Sequence, residues 1–82
     1  MQFLVEFKSR AIKDLRSINA QDRHRIVSKI EELENDLSGN VKRLTNFSPE
    51  YGLRVGDFRV LFEVEEERVI IYRVKHRKDA YS

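Results

Sequence analysis

Hydrophobic positions fall into two periods along this chain. From Gln2 to Phe7 they alternate, with Phe3, Val5 and Phe7 on one face, and predict a strand. The period then lengthens. Ile12, Leu15 and Ile18 form the stripe of a first helix with Ser9 as its N-cap. Asn19 with Asp22 three residues later resembles a capping box and opens a second helix. That helix carries the stripe Ile26, Val27, Ile30, Leu33 and Leu37, and Gly39 is its expected stop. Val41 to Glu50 shows no period and holds the single proline, Pro49. Alternation returns in three runs: Tyr51–Val55, Phe58–Glu65 and Arg68–Lys75. Gly56 and Asp57 separate the first two runs, and glycine in the first place is the mark of a type II′ hairpin. The predicted order is strand, helical hairpin, three-stranded antiparallel meander. This is an α+β fold with the helices packed on one face of the sheet.

The hairpin fixes which side chains share the other face. Val55 pairs with Phe58, so Arg54 lies opposite Arg59, a like-charge pair that destabilises a hairpin unless something offsets it. An anion is the simplest candidate. With an odd-length loop around Glu65–Glu67 and no bulge, Val69, Ile71, Arg73, Lys75 and Arg77 join Arg54 and Arg59 on that face. Leu61 and Ile71 then lie between the cations as an exposed apolar strip, of the kind that marks a partner surface. Phe58, Val60, Phe62, Val64, Ile70, Tyr72 and Val74 are the expected core side.

Composition narrows the class. The 82 residues form one domain, residues 1–82. A domain of this size buries roughly 60% of its unfolded surface, so it depends on a tight core. There is no cysteine, hence no disulfide or thiolate metal site. The chain has neither a signal-peptide pattern nor a run of about 20 apolar residues, which points to a soluble, cytoplasmic protein. Asp79 is too isolated to suggest a metal site or a carboxylate pair, and neither a metal nor a cofactor is expected. Net charge is only +2 although 37% of residues are charged. The signs are segregated: residues 31–36 are acidic, whereas Arg68 to Ser82 holds Arg68, Arg73, Lys75, Arg77 and Lys78 against Asp79. A local positive field therefore exists despite the small total.

The C-terminal residues concentrate chemistry. Arg73, Lys75, His76, Arg77 and Lys78 are followed by Tyr81. Arginine presents planar donors to phosphate and stays charged. Histidine titrates near neutrality. Tyrosine stacks on a base or donates a hydrogen bond. Each has a plainer reading: solvated cations, a structural histidine and a tyrosine packed at the terminus. The Glu65–Glu67 run reads as a solvated turn, and the acidic residues 31–36 as a solvated helix face.

Two segments resemble the RelE/ParE toxin superfamily, in particular its RelE-like mRNA interferases. Tyr51 to Phe62 is similar to that family's strand–turn–strand segment, with a basic residue before the turn and an arginine after it. Val74 to Tyr81 is similar to its His-Arg-x-x-x-Tyr ending. The resemblance implies a toxin held inactive by a cognate antitoxin. Once free, it enters the ribosomal A site, contacts 16S rRNA and cuts mRNA by attack of the 2′-hydroxyl on the phosphodiester. Arg54, Arg59, Arg77 and Tyr81 match the functional positions, and His76 occupies the basic position before Arg77. From the reading of the basic face, the expected RNA contacts are Arg54, Arg59, Arg73, Lys75 and Lys78, and the expected antitoxin surface is Leu61, Ile71 and Arg59. Some active members carry a further lysine two residues before Arg54, where this chain has Gly52. Two other readings share the fold: a toxin that inhibits DNA gyrase by binding, and an RNA- or protein-binding module with weak catalysis.

Overall fold

A computed structural model describes residues 3–35, 41–44 and 49–79. Strand β1 (Leu4–Phe7) leads into helices α1 (Ser9–Arg16) and α2 (Ala20–Glu32). Strands β2 (Val41–Arg43), β3 (Tyr51–Val55), β4 (Phe58–Glu65) and β5 (Arg68–His76) follow. All five strands form one sheet of order β1-β5-β4-β3-β2. The first strand runs parallel to the last, and the other pairings are antiparallel. The helices cover one face, as their apolar stripes require.

The helix ends follow local chemistry. At α2, Asn19 is the N-cap: its side-chain oxygen accepts from the Asp22 N–H at 2.9 Å, and its Nδ2 donates to the Asp22 carboxylate at 2.8 Å. At α1 the cap position belongs to Lys8, with extended backbone and no side-chain cap, so Ser9 is the first helical residue rather than the N-cap. Arg23 ties the helices together, its Nη1 donating to the Leu15 and Ile18 carbonyls at 3.4 and 3.3 Å. The α2 stripe of Ile26, Ile30 and Leu33 is buried against Val60, Phe62, Val69, Ile71 and Val74 of the sheet. Leu37 and Gly39 lie outside the described residues, and α2 ends earlier, with Leu33 as its C-cap.

Three features of the sheet differ from the expectation. Val41–Arg43 is a strand within the segment read as irregular; three residues are too few to display alternation, and the partner, β3, lies across an intervening loop. The β4–β5 turn has two central residues, Glu66 and Glu67, because Glu65 pairs with Arg68. The register then shifts by one: Phe62 pairs with Ile71 but Leu61 pairs with Arg73, leaving Tyr72 as the extra residue of a β-bulge. The short turn and the bulge offset each other. Arg73, Val74 and Lys75 therefore keep their expected faces, whereas Val69 and Ile71 turn into the core and Ile70 takes the outer face beside Glu63.

The bulge lies where β1 leaves the edge of β5. The Lys8 N–H still donates to the Ile71 carbonyl at 2.9 Å. Beyond it, Asp14 of α1 replaces the missing strand and accepts from the Val74 N–H at 2.9 Å. Half-buried Tyr72 packs its ring under Lys8 Nζ, 5.5 Å from the centroid. At the β3–β4 turn Gly56 takes φ +57°, a conformation that favours glycine, while Glu66 adopts the same φ in the next turn without that freedom.

Candidate functional site

Directly opposed residues of an antiparallel sheet share a face, so the register itself assembles the site. On the face away from the helices, Arg54, Arg59 and Lys75 stand in one row across β3, β4 and β5. The predicted opposition of Arg54 and Arg59 is present, and Lys75 extends it. Cβ atoms in such rows lie about 4.5–5.5 Å apart. Arg54 is exposed; Arg59 and Lys75 are half-buried. None of the three forms an ion pair with an acidic side chain among the described residues. Their contacts are weak and to carbonyls: Arg59 Nη1 to Phe58 O and Lys75 Nζ to Asp79 O, both at 3.5 Å. Three adjacent cations, none ion-paired with a carboxylate among the described residues, make a site prepared for an anion.

Three nearby acids are engaged elsewhere. Glu6 pairs with Arg68 at 2.7 Å. Glu63 accepts a hydrogen bond from the Glu50 N–H. Asp14 grips Arg73 with two bonds, to Nε at 2.8 Å and to Nη2 at 3.1 Å. Arg73 thus lies on the predicted face, but its fork is occupied and its charge is matched. Burial pushes the Asp14 carboxyl up; the Arg73 hydrogen bond, the Val74 N–H and the charges of Arg73 and Arg10 together outweigh it and hold the group below the usual range.

The next row is Lys42, Gly52, Leu61 and Arg73. Leu61 is 3% exposed and Ile71 is 0% exposed. The exposed apolar strip expected between the cations is therefore absent in the free chain. Ile71 faces the core because of the bulge, and Leu61, although on the outer face, is covered.

The C-terminal residues separate at the end of β5. His76 pairs with Phe58, so its ring lies on the helix-side face, edge-on to the Phe58 ring at 5.7 Å and 71°. It does not join Arg59 and Lys75. Arg77 follows the last strand residue, and strand alternation no longer positions it. Its N–H donates to the Asp57 carbonyl at 2.7 Å, which anchors it beside the Gly56–Asp57 turn, next to the row of Arg54 and Arg59. Lys78 lies in the following turn, closed by the Asp79 N–H on the His76 carbonyl at 2.8 Å. Tyr81 lies outside the described residues. Among those described, no group of three or more His, Asp or Glu side chains is placed to hold a metal ion.

Sequence reasoning passed over two cations. Lys42 was lost with β2. Arg25 of α2 lies against the turn, where a Cβ on Gly56 would come within 3.3 Å of its Nη1. Only the packing of α2 on the β3–β4 hairpin reveals it.

A sequence profile described as "ParE toxin of type II toxin-antitoxin system, parDE" matches residues 5–81. This chain belongs to the RelE/ParE toxin family. It is 35% identical to Toxin RelE3 of Methanocaldococcus jannaschii, over 95% of this chain and 94% of that protein. Among solved structures it is similar to the RelB–RelE antitoxin–toxin complex from Methanococcus jannaschii, with TM-score 0.77, 32% identity and coverage of 93% and 94% of the two chains. The archaeal RelE–RelB complex from Pyrococcus horikoshii shares the fold, with TM-score 0.80 at 24% identity over 98% of this chain and 100% of that one. The α+β architecture of two helices on a five-stranded mixed sheet is that of the RelE toxins, and the chain is a toxin of a RelBE-type system.

Proposed function

We propose that this toxin is a ribosome-dependent endoribonuclease of the cytoplasm that cuts mRNA in the A site. The observation that carries the reading is the row Arg54–Arg59–Lys75, cations without an acid partner among the described residues, with Arg77 anchored at its end. In the reaction the 2′-hydroxyl oxygen attacks the adjacent phosphorus. The bond to the 5′-oxygen breaks, leaving a 2′,3′-cyclic phosphate and a 5′-hydroxyl. One proton leaves the 2′-oxygen and one reaches the 5′-oxygen, so the protein needs donors for the phosphate and a route for protons.

Arg59 and Arg77 hold the phosphate and stabilise its added negative charge, and Arg54 positions the strand. Lys75 and Lys78 add to the field. Arginine does not readily give up its proton. The proton steps fall to Tyr81, and to His76 once its ring turns from the helix-side face around the end of β5. Translating ribosomes supplied with the protein should accumulate cut mRNA. Arg77→Ala should slow the cut by about 10²–10³-fold, the usual cost of one lost transition-state donor. Unchanged cleavage by that variant would remove Arg77 from the mechanism.

A cognate antitoxin inhibits by covering the cationic row and supplying carboxylates to it, a reading supported by similarity to solved toxin–antitoxin complexes. Arg59→Glu should weaken that complex, whereas Leu61 contributes only if the antitoxin uncovers it. A second reading is inhibition of DNA gyrase without chemistry, kept because the matching profile is that of the ParE branch of the family. A supercoiling assay separates the two.

A further inference from the structure

The cationic row does not end the positive face, because β2 places Lys42 one row further along it. Lys42 lies directly opposite Gly52, and Gly52 directly opposite Leu61. Leu61 shares its face with Arg59 two residues away, so Lys42 projects from the side that carries Arg54, Arg59 and Lys75. Gly52 places no side chain between Lys42 and its neighbours. On the sheet lattice the Lys42 and Arg54 backbones lie about 8 Å apart, one strand spacing by two residues. Such a separation lets a lysine and an arginine hold successive phosphates of one strand.

The Lys42 side chain is exposed and forms no hydrogen bond or ion pair with a described residue, so the charge has no evident work in the fold. The adjacent Arg43, by contrast, is bound to Glu50 at 2.9 Å. Lysine on an edge strand also discourages sheet-to-sheet pairing. Edge protection of that kind predicts no change in RNA binding for Lys42→Gln, whereas a phosphate contact does.

We infer that Lys42 is an RNA-binding residue of this site, contacting the backbone phosphate next to the one held by Arg54. The inference deepens the ribonuclease reading and rests on it for the cleavage arm of its test. The contact lies away from the reacting bond and is the same in the ground and transition states. It therefore lowers KM and leaves kcat alone.

The test compares wild type, Lys42→Gln, Lys42→Arg and, as a control on α2, Lys29→Gln. In cleavage of mRNA on programmed ribosomes, Lys42→Gln should raise KM about tenfold, equivalent to one charged hydrogen bond, with kcat within about twofold. Lys42→Arg and Lys29→Gln should match wild type. In equilibrium binding of a single-stranded RNA oligonucleotide, Lys42→Gln should lower the slope of log K against log salt by about 0.7, one phosphate contact. An unchanged slope, or a loss in kcat with KM intact, overturns the assignment. A wild type that cuts nothing while the slope difference persists refutes the ribonuclease reading and keeps the phosphate contact.

Discussion

Arg59 should be a residue the fold would be more stable without. It stands between Arg54 on β3 and Lys75 on β5, each directly opposed. Among the described residues its side chain makes one polar contact, a 3.5 Å approach to its neighbour's carbonyl. Each like-charge opposition costs about 0.2–1 kcal/mol, so two cost about 1 kcal/mol at low salt. Arg59→Gln removes both oppositions and keeps much of the apolar stem. In a domain of this size a gain of about 1 kcal/mol raises Tm by about 4–8 °C. The gain should shrink as salt is added, because the screening length falls from about 10 Å at 0.1 M to about 3 Å at 1 M. Phosphate at constant ionic strength should raise the Tm of wild type more than that of the variant, since an anion held by the row stabilises only the folded state. Cleavage should meanwhile fall by about 10²–10³-fold. Thermal unfolding by circular dichroism across a salt series, with and without phosphate, reads the stability terms. A Tm that is unchanged or lower in Arg59→Gln at low salt would show that the row is not strained and would refute the reasoning.

Asp14→Asn should destabilise by about 2 kcal/mol in urea titrations at neutral pH, because it weakens the two-point grip on Arg73. The Asp14 pKa is lowered in the folded state, so its stabilisation is complete above the unfolded carboxyl value of about 3.9 and is lost as pH falls through the folded value. The gap between wild type and Asp14→Asn should therefore close in acid, and a gap independent of pH would contradict the ion pair. Glu66→Gly should stabilise by about 0.5–1 kcal/mol, because relief of the left-handed backbone at φ 57° exceeds the added freedom of glycine in the unfolded chain. A loss of stability in equilibrium unfolding would count against strain at that turn.

Much of this architecture is legible in the sequence because local rules and packing agree. The α2 stripe, the Asn19 cap and the Gly56–Asp57 turn each produce the element that they predict. That turn alone places Arg54 against Arg59, a functional inference drawn from register. The less legible parts depend on contacts distant in sequence. The bulge at Tyr72 arises where β1 gives way to Asp14, a replacement invisible in the alternation of β5 itself. It sends Ile71 inward. Strand β2 exists through its pairing with β3, so Lys42 could not be placed on the face before that pairing was known. Asp14 reads as one more exposed helix charge until the tertiary fold brings it to Arg73. His76 and Arg77 are neighbours in the sequence, yet the end of β5 puts the imidazole on the helix side and the arginine beside the hairpin turn.

Mapping mRNA ends in a translation reaction tests the central claim most directly. The expected result is a set of cuts within the codon in the ribosomal A site, on translated message only, lost in Arg59→Gln and strongly reduced in Arg77→Ala. Intact mRNA in the presence of the wild-type protein, with DNA supercoiling inhibited instead, would contradict it.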